Sequence, residues 1–406
     1  MEIDVIVIGA GPAGAAFSTI LSQNGFSVTV LEKSIFPRFS IGESLLPQSM
    51  TFLKEADLLS EIPNDLFQPK KGALFAQGDN CAKIDFSQKF TEGPSQTWQV
   101  ERSIFDELLI NKAIKSGVKV KFNTSLEQIN FEEETVEVSI AKNGKTERLS
   151  ASFIVDASGG AMVLPRLMKT VSKPSNSKVA LFQHFSDEER TLQESENILI
   201  SIHPNDNKIW YWGIPFKDNK VSVGVVTDEK TLESYSGSED KIFQTLYSQE
   251  PHLQKRLRNA SGINSVQKIK AYEAKINQIH GEQFLMIGNA AGFIDPIFSS
   301  GITIALKSAV CAAPEVMKVL RKEKPDWQSY DEEMALGNNT FKAYVDAWYD
   351  SSLQKIILSQ NKEPDIQSKI NSILAGYVWD KSNSFVREPA RKLQQVSKLL
   401  ERLEAP

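Results

Sequence analysis

Residues 3–14 read IDVIVIGAGPAG, a β-rich apolar run that passes directly into a glycine-rich turn. The next residues place apolar side chains at helical spacing as far as Gly25, which suits the position just after a helix. A second β-rich run, VTVLEK, follows at 28–33. The order strand, glycine turn, helix, strand is typical of the first unit of a dinucleotide-binding sheet, and it decides the fold.

The glycine turn is the first candidate binding site. Glycines at this position let the backbone approach a pyrophosphate at the helix N-terminus, where free N–H groups and the helix dipole attract anions. Glu32 lies at the end of the second strand, where a carboxylate is placed to accept hydrogen bonds from the ribose of an adenosine. The motif alone does not separate FAD from NAD. The predicted contacts in the turn are Gly9, Gly11, Ala13 and Gly14.

Composition restricts the class of protein. The 406 residues are 41% hydrophobic and 24% charged, which predicts a soluble globular chain of two or three domains. A net charge of -5 gives no support for a nucleic-acid surface. The two cysteines and four histidines show no metal-ligand spacing, so no metal site is predicted. We see no targeting segment or membrane-length apolar run, and we expect a cytoplasmic protein.

The sequence pattern predicts an α/β fold with interleaved domains. Several separated segments carry β-rich runs that end in glycine turns, as in a Rossmann-type domain. Between them, runs such as KVALFQHF and VSVGVV alternate as in an antiparallel sheet, which predicts a substrate domain. The end of the chain has a helical pattern. The predicted segments are 1–48, 98–175 and 270–320 for the nucleotide-binding domain, 49–97 and 176–269 for the substrate domain, and 321–406 for a helical C-terminal region.

Two later glycine segments, VDASGG (155–160) and GNAAGFIDPIFSSGI (288–302), accompany a helix that begins ERSIFDELL. Together they resemble the FAD-binding fold of the aromatic hydroxylases and flavin-dependent halogenases, a glutathione-reductase-like domain. The resemblance covers most of the chain and implies FAD as the cofactor. Most relatives carry Asp where this chain has Asn289, but an amide oxygen can still accept a ribityl hydrogen bond. The residues implied to contact FAD in these segments and the 36–47 loop are Arg38, Ser44, Arg102, Asn289 and Asp295.

Further motifs resemble the flavin-dependent halogenases specifically. WYWGIP (210–215) matches the W-x-W-x-I-P pattern of that family, and FIDPIFSSG (293–301) matches its F-x-x-P-x-x-S-x-G pattern. The GES tripeptide at 42–44 agrees as well. Trp210 and Trp212 are two residues apart, so they share one face of a strand and form an indole wall. In the implied mechanism this wall separates the organic substrate from the flavin.

The long helix that begins near Ile302 is predicted to present its N-terminus to the flavin. Gly301 and Ile302 would then contact the cofactor, and backbone N–H groups near Ser300 would hold a halide ion. An ordinary helix start capped by Ser299 or Ser300 is compatible with this hypothesis.

A lysine pair supplies the candidate catalytic amine. In QPKKGALF, Lys70 stands where phenol- and pyrrole-type halogenases carry their catalytic lysine, and Lys71 is the neighbouring candidate. Reduced flavin, O₂ and halide are implied to yield hypohalous acid. The lysine either hydrogen-bonds that acid or forms a chloramine with it. Burial would lower the pKa of Lys70 and favour the chloramine.

The implied substrate is an activated ring. Free-tryptophan halogenases carry a glutamate just before the serine pair, and this chain has Phe298. A phenol or pyrrole therefore fits better than tryptophan. Three forms of that ring stay open: a free molecule, a group tethered to a carrier protein and part of a polypeptide. The chain has Ala157-Ser158-Gly159 where single-component hydroxylases carry a DG motif, and it lacks a second dinucleotide fingerprint. Reduced flavin is thus expected from a partner flavin reductase.

Other functions stay open. Tyr- and Trp-rich segments at 341–360 and 373–386 resemble halogenase-like monooxygenases that mature tryptophylquinone enzymes by hydroxylating a tryptophan in a partner polypeptide. Those aromatics also suit a packed helical cap. Prenyl-lipid reductases share the fold, and a flavin-binding scaffold without catalysis is a different class of hypothesis. Halide dependence separates the halogenase from the monooxygenase.

The sequence predicts that Glu32→Ala weakens FAD retention. Hydrogen bonds to a charged group contribute about 1.5–3 kcal/mol, so the Kd for FAD should rise roughly tenfold to hundredfold. Flavin content after gel filtration and a fluorescence titration of the apoprotein measure the change. Full occupancy in the variant would show that Glu32 is not an important ribose ligand.

Overall fold

The computed structural model describes residues 3–172, 175–188, 196–273, 276–361 and 363–403. Residues 1–2 and 404–406, at the ends of the first and last predicted segments, lie outside that part of the chain. A mixed seven-stranded sheet forms the first layer. Its strands are β1 (Ile3–Ile8), β2 (Val28–Glu32), β7 (Lys119–Phe122), β8 (Thr124–Phe131), β9 (Val136–Lys142), β10 (Lys145–Asp156) and β17 (Phe284–Met286).

The parallel part of this sheet creates a binding crevice. β1 lies between β2 and β10, and both pairings are parallel. β7 extends the sheet beyond β2, and β17 pairs with β10. The chain leaves β1 toward one neighbour and returns to the other, so a crevice opens at the carboxyl ends of these strands. Beside it, α1 (Pro12–Gln23) packs against two further helices, α3 (Arg102–Lys115) and α8 (Ser300–Leu320).

Glycine ends α1 as the sequence predicts. Gly25 has a φ of 89°, a left-handed conformation that costs glycine little. Its N–H bonds to the Ser22 carbonyl, and the Phe26 N–H bonds to the Leu21 carbonyl. These two bonds form a Schellman motif, which satisfies carbonyl groups at the helix end and turns the chain into β2.

An eight-stranded sheet forms the second layer. Most of its neighbouring strands are antiparallel, as the alternating sequence pattern predicts, while β12 and β4 pair in parallel. A separate two-stranded ribbon joins β3 (Gln68–Lys70) to β6 (Thr97–Gln99). The larger sheet contains β4 (Gly72–Gln77), β5 (Asn80–Asp85), β11 (Ser175–Ser186), β12 (Ile198–His203), β13 (Asp206–Pro215), β14 (Lys220–Asp228), β15 (Ser261–Gly262) and β16 (Gln267–Glu273).

The two faces of the second sheet have different partners. Leu181, Tyr211 and Val225 have odd numbers and belong to a core with residues of α6 (Glu239–Ser248) and α7 (Pro251–Arg256). Phe182 and Trp212 have even numbers and belong to the core shared with the first sheet. Because side chains alternate along a strand, one face is anchored to helices while the other covers the crevice. The short helix α5 (Glu229–Glu233) follows β14.

The remaining helices form the predicted C-terminal region and two short connections. Tyr344 and Trp348 of the 341–360 segment have no exposed surface, so these aromatics pack within the helical cap. In the described residues no helix is both long and apolar enough to span a bilayer. The α/β fold class is confirmed, while the proposed domain boundaries stay a prediction. These helices are α2 (Gln48–Glu55), α4 (Val163–Leu167), α9 (Trp327–Tyr349), α10 (Ser352–Leu358), α11 (Pro364–Leu374), α12 (Ser384–Arg387) and α13 (Pro389–Leu403).

Gly337→Ala should destabilise the protein although alanine is the better helix former. A Cβ at Gly337 would lie 2.3 Å from Cε2 of Trp379, which packs on this glycine. Overpacking costs about 1–3 kcal/mol and outweighs a helix-propensity gain of about 0.5–1 kcal/mol. Urea unfolding measures the change. Asn339→Ala, at an exposed position of the same helix, is the control and should be neutral or stabilising; equal stabilisation by both substitutions would contradict the prediction.

Candidate active site

The glycine turn brings β1 and α1 into close contact. A Cβ at Gly14 would lie 2.0 Å from the Gly9 carbonyl oxygen, so only glycine permits this packing. Gly9 has a φ of 97°, and a Cβ there would meet the Ala157 carbonyl oxygen at 2.7 Å. No side chain caps α1 at Gly11, which leaves its first N–H groups available to an anion. Gly11 and Ala13 line an adjoining cavity, and their contact with a cofactor stays a prediction.

Glu32 lies in the wall of a cavity of about 930 Å³. Its Oε2 accepts a hydrogen bond from the Ala10 N–H at 2.9 Å, and its Oε1 accepts one from the Ser34 N–H. Arg38 Nε lies 3.8 Å from Oε1 and also lines this cavity. The carboxylate is thus fixed at the end of β2 with lone pairs left for hydroxyl donors.

The shape and donors of this region fit a dinucleotide such as FAD. Gly159 and Gly160 line the larger cavity, and Cβ atoms added there would meet no atom within 4 Å. Arg102 and Asn289 line both this cavity and a second one of about 280 Å³, which places them where the two meet. Arg102 is held there by two hydrogen bonds to buried Asp106, at 2.7 and 2.9 Å.

The N-terminus of α8 borders the second cavity. Ser299 has a φ of 59°, and no side chain caps the helix, so the capping suggested by the two serines is wrong. Ser299, Gly301 and Ile302 line the cavity, whereas Ser300 is buried outside the lining. An uncapped helix start with partial positive charge suits an anion or an electron-rich ring edge.

The two tryptophans form one wall of the second cavity. Trp210 and Trp212 both line it, and their ring centroids are 6.0 Å apart. Trp212 lies directly over Gly224, where an added Cβ would come within 2.2 Å of the indole ring. Its Nε1 donates to Ser222 Oγ at 3.1 Å. The indole is therefore fixed by a glycine neighbour and by a hydrogen bond.

Trp210 is held by a hydrogen-bond chain that the sequence did not indicate. Its Nε1 donates to the Tyr349 hydroxyl at 3.0 Å, and that hydroxyl donates to Asp295 Oδ2 at 2.8 Å. Asp295 Oδ1 also accepts from the Ile297 N–H. These contacts hold Asp295 within the protein, and it does not line either cavity. Direct contact between Asp295 and a cofactor therefore stays a prediction that the geometry does not support.

The GES tripeptide connects the cavity to a buried lysine. Ser44 lines the second cavity, and its Oγ accepts a hydrogen bond from Lys70 Nζ at 2.8 Å. Lys70 also donates to the Leu45 carbonyl at 2.7 Å, and its side chain is 2% exposed. Burial lowers the pKa of Lys70 to about 7. Lys71 is exposed, so Lys70 is the lysine that points into the protein, although it reaches the cavity wall only through Ser44.

Phe298 sits in an aromatic cluster. Its ring meets Tyr344 and Trp348 edge to face, with centroids 6.4 and 5.8 Å apart. The Tyr344 hydroxyl and Trp348 Nε1 are buried and have no hydrogen-bond partner among the described residues. The position that carries glutamate in free-tryptophan halogenases is therefore apolar here. The two rings that pack against Phe298 each carry a buried polar atom without a hydrogen bond among the described residues.

Comparison with known proteins agrees with this geometry. A family model described as FAD binding domain matches residues 2–336. The chain is 27% identical to a 1H-pyrrole-2-carbonyl peptidyl-carrier protein chlorinase of Pseudomonas fluorescens, covering 97% of this chain and 93% of that protein. It is 33% identical to flavin-dependent halogenase armH3 of Armillaria mellea, covering 79% and 68%.

A solved structure extends the likeness to the whole chain. A crystal structure described as a flavoprotein/dehydrogenase from Cytophaga hutchinsonii superposes with a TM-score of 0.95 at 36% identity, covering 100% of both chains. The matched model, the curated relatives and the glycine-lined cavities all point to the same cofactor. The chain is a flavoenzyme that binds FAD and belongs to the flavin-dependent halogenase family.

Proposed function

We propose that this enzyme uses reduced FAD, O₂ and halide to halogenate a phenol- or pyrrole-type ring, with Lys70 as the catalytic amine. The observation that carries the proposal is a fully buried lysine, with a pKa lowered to about 7, bonded to a residue of the cavity wall. Such an amine is partly neutral near pH 7 and can react with an electrophilic halogen species. A partner flavin reductase would supply the reduced cofactor.

The cofactor would lie along the two cavities. The glycine turn and Glu32 would hold the adenosine and pyrophosphate, and Arg102 and Asn289 would line the ribityl chain and flavin. When bound and reduced, FAD supplies the two electrons that activate O₂. Halide would bind at the uncapped N-terminus of α8, between the backbone N–H groups near Ser300 and Gly301.

The overall reaction requires protons as well as halide. With FAD bound, the overall reaction would convert reduced FAD anion, O₂, one halide ion and two protons into oxidised FAD, hypohalous acid and water. The neutral Lys70 amine then exchanges one N–H bond for an N–halogen bond and releases water. Transfer of that halogen to the ring restores the amine, because the ring returns its own proton to nitrogen. Trp210 and Trp212 would keep the ring off the flavin throughout.

The ring is inferred to be electron-rich because the chain offers no carboxylate at Phe298. An apolar aromatic side chain gives no charge to stabilise a cationic ring intermediate. The Pseudomonas relative is named for a pyrrole attached to a carrier protein, and a carrier-tethered pyrrole is therefore one substrate to test here. A free phenol or pyrrole is the other.

A monooxygenase that hydroxylates an aromatic side chain of a partner polypeptide is the second candidate. One observation favours it over the amine-dependent halogenase. Lys70 lies behind Ser44 rather than on the cavity wall. A hydroxylase would need no catalytic amine at that position.

Lys70→Ala should abolish halogenation while FAD reduction and reoxidation persist. The protein would be given FAD, a flavin reductase, NADH, O₂ and bromide with phenols, pyrroles, indoles and a pyrrolyl-carrier protein. Mass spectrometry then reports halogen isotope patterns. We expect a loss of roughly 10²-fold or more in product for Lys70→Ala, as for other catalytic groups. Lys71→Ala is the matched comparison, because its side chain is exposed, and should retain the activity.

The products also separate the functions. Halogenated ring that is unchanged in Lys70→Ala would remove Lys70 from the mechanism. Oxygen addition without bromide dependence would favour the monooxygenase. Turnover of reduced flavin with no product on any ring would direct the search to a polypeptide partner.

The pH profile should distinguish the two roles of Lys70. Because burial lowers its pKa to about 7, the neutral amine increases as pH rises through that value. With FAD already reduced and halide saturating, we expect the single-turnover rate of ring halogenation to rise through about pH 7. A rate that falls over the same range would mean that the ammonium form holds hypohalous acid by a hydrogen bond. Lys70→Arg, which stays charged, should lack the rise.

A further inference from the structure

Glu43, which is buried, and His184, which is partly buried, form a pair beside the second cavity, where the flavin would lie. His184 Nε2 lies 2.9 Å from Glu43 Oε1, although the two residues are 141 positions apart. Glu43 is 2% exposed, and its Oε2 is buried without a hydrogen-bond partner among the described residues. A buried carboxylate oxygen left unsatisfied costs free energy, so it marks a place where a donor is expected.

Glu43 and Ser44 are adjacent in the chain but contact side chains of different strands. Glu43 faces His184 of β11, while the next residue, Ser44, holds Lys70 of β3. Successive side chains of extended backbone point to opposite sides, and Ser44 pairs with Gln99 in a β-bridge. The GES tripeptide therefore separates the acid–histidine pair from the lysine that we assign to the halogen.

The histidine lies between the carboxylate and solvent. Its side chain is 12% exposed, while that of Glu43 is 2% exposed. The imidazole ring meets Phe39 and Phe216 edge to face, with centroids 5.9 and 5.7 Å apart. Phe39 is itself 46% exposed, so this aromatic frame lies at the surface. One end of the pair is near water and the other lines the cavity.

The cavity offers few other groups that can give up a proton. Its described lining contains three ionisable side chains, namely Glu43, Arg102 and Lys178. Arg102 does not deprotonate in a protein and is bound to Asp106. Lys178 Nζ lies 3.9 Å from the ring centroid of Tyr349, beside Trp210. Glu43 is thus the one carboxylic acid among these described lining residues.

We propose that His184 and Glu43 deliver protons from solvent to the flavin cavity. Oxidation of reduced FAD anion by O₂ to FAD and hydrogen peroxide consumes one proton, and oxidation with halide consumes two. In this relay His184 takes a proton from water and passes one from Nε2 to Glu43 Oε1. Glu43 then releases a proton to the cavity and returns to the carboxylate. The imidazole is left with its proton on Nδ1, and exchange of that proton with solvent and back to Nε2 restores the pair before the next transfer.

The surrounding charges are engaged elsewhere. Arg102 of α3 donates to the Ile41 carbonyl and Asp106, and Lys70 of β3 donates to Ser44 and Leu45. Lys220 of β14 pairs with Glu101 at the start of α3. Asp187 directly follows β11 and is buried, and its backbone N–H bonds to the Asn219 carbonyl. His184 and Glu43 therefore remain the pair that shares a proton across this wall.

The test measures oxidation of bound reduced FAD in the complete protein without halide or aromatic substrate. Bound FAD is reduced under anaerobic conditions and mixed with O₂ at several pH values. Glu43→Gln and His184→Gln keep the size and hydrogen bonding of the pair but cannot relay a proton. We expect both to slow oxidation roughly tenfold to hundredfold and to flatten its pH dependence. His280→Gln, in the surface pair with Asp331, is the matched control and should behave as wild type.

Further readouts separate proton transfer from a structural role. The Kd for FAD and the Tm should stay near the wild-type values in both glutamine variants. A time-resolved infrared spectrum recorded during oxidation should show a transient protonated-carboxyl band that Glu43→Gln removes. Imidazole should restore oxidation in His184→Ala, because its removal leaves a ring-shaped space between Phe39 and Phe216.

Two results would overturn the relay. Wild-type oxidation rates and pH dependence in both glutamine variants would show that the cavity receives protons by another route. Slower oxidation that follows a matching loss of FAD affinity or Tm, with no rescue by imidazole, would assign the pair to structure alone. Because neither halide nor aromatic substrate is present, these outcomes do not depend on whether the enzyme is a halogenase.

Discussion

The close approach of Gly14 to the Gly9 carbonyl is the constraint on which the binding crevice depends. It holds the N-terminus of α1 against the carboxyl end of β1, where β2 and β10 also end. Any side chain at Gly14 would separate helix from strand by the width of a methyl group or more. The free N–H groups of α1 and the carboxylate of Glu32 would then no longer face one cavity.

The second sheet completes the site by giving its two faces separate tasks. One face is fixed to α6 and α7 through Leu181, Tyr211 and Val225, which leaves the other free to form the cavity wall. On that face Gly224 provides the space in which the Trp212 indole lies flat. The cavity wall is therefore held in place by the core on the opposite face of the sheet. This arrangement explains why heavy aromatic residues occupy a binding surface without filling it.

Local sequence patterns predicted much of the fold, but they could not predict contacts between residues that are far apart in the chain. The β1–α1–β2 unit and the shared face of Trp210 and Trp212 follow from periodicity over a few residues. The direction of Lys70 did not, because it ends a three-residue strand and Lys71 follows outside that strand, so the local pattern does not fix which lysine points inward. The serine pair suggested a cap on α8, yet the left-handed Ser299 leaves it uncapped. Glu43 and His184 meet only through the tertiary fold, so neither motif nor spacing marks their contact.

The chain from Trp210 through Tyr349 to Asp295 joins three parts of the molecule by two hydrogen bonds. Trp210 belongs to the sheet, Tyr349 ends the long helix α9, and Asp295 begins the turn that leads into α8. A displacement of α9 would therefore move the cavity wall and the turn that leads into α8 together. The C-terminal helices are thus linked by side-chain hydrogen bonds to two separate parts of the cavity wall, and their position helps to set its shape.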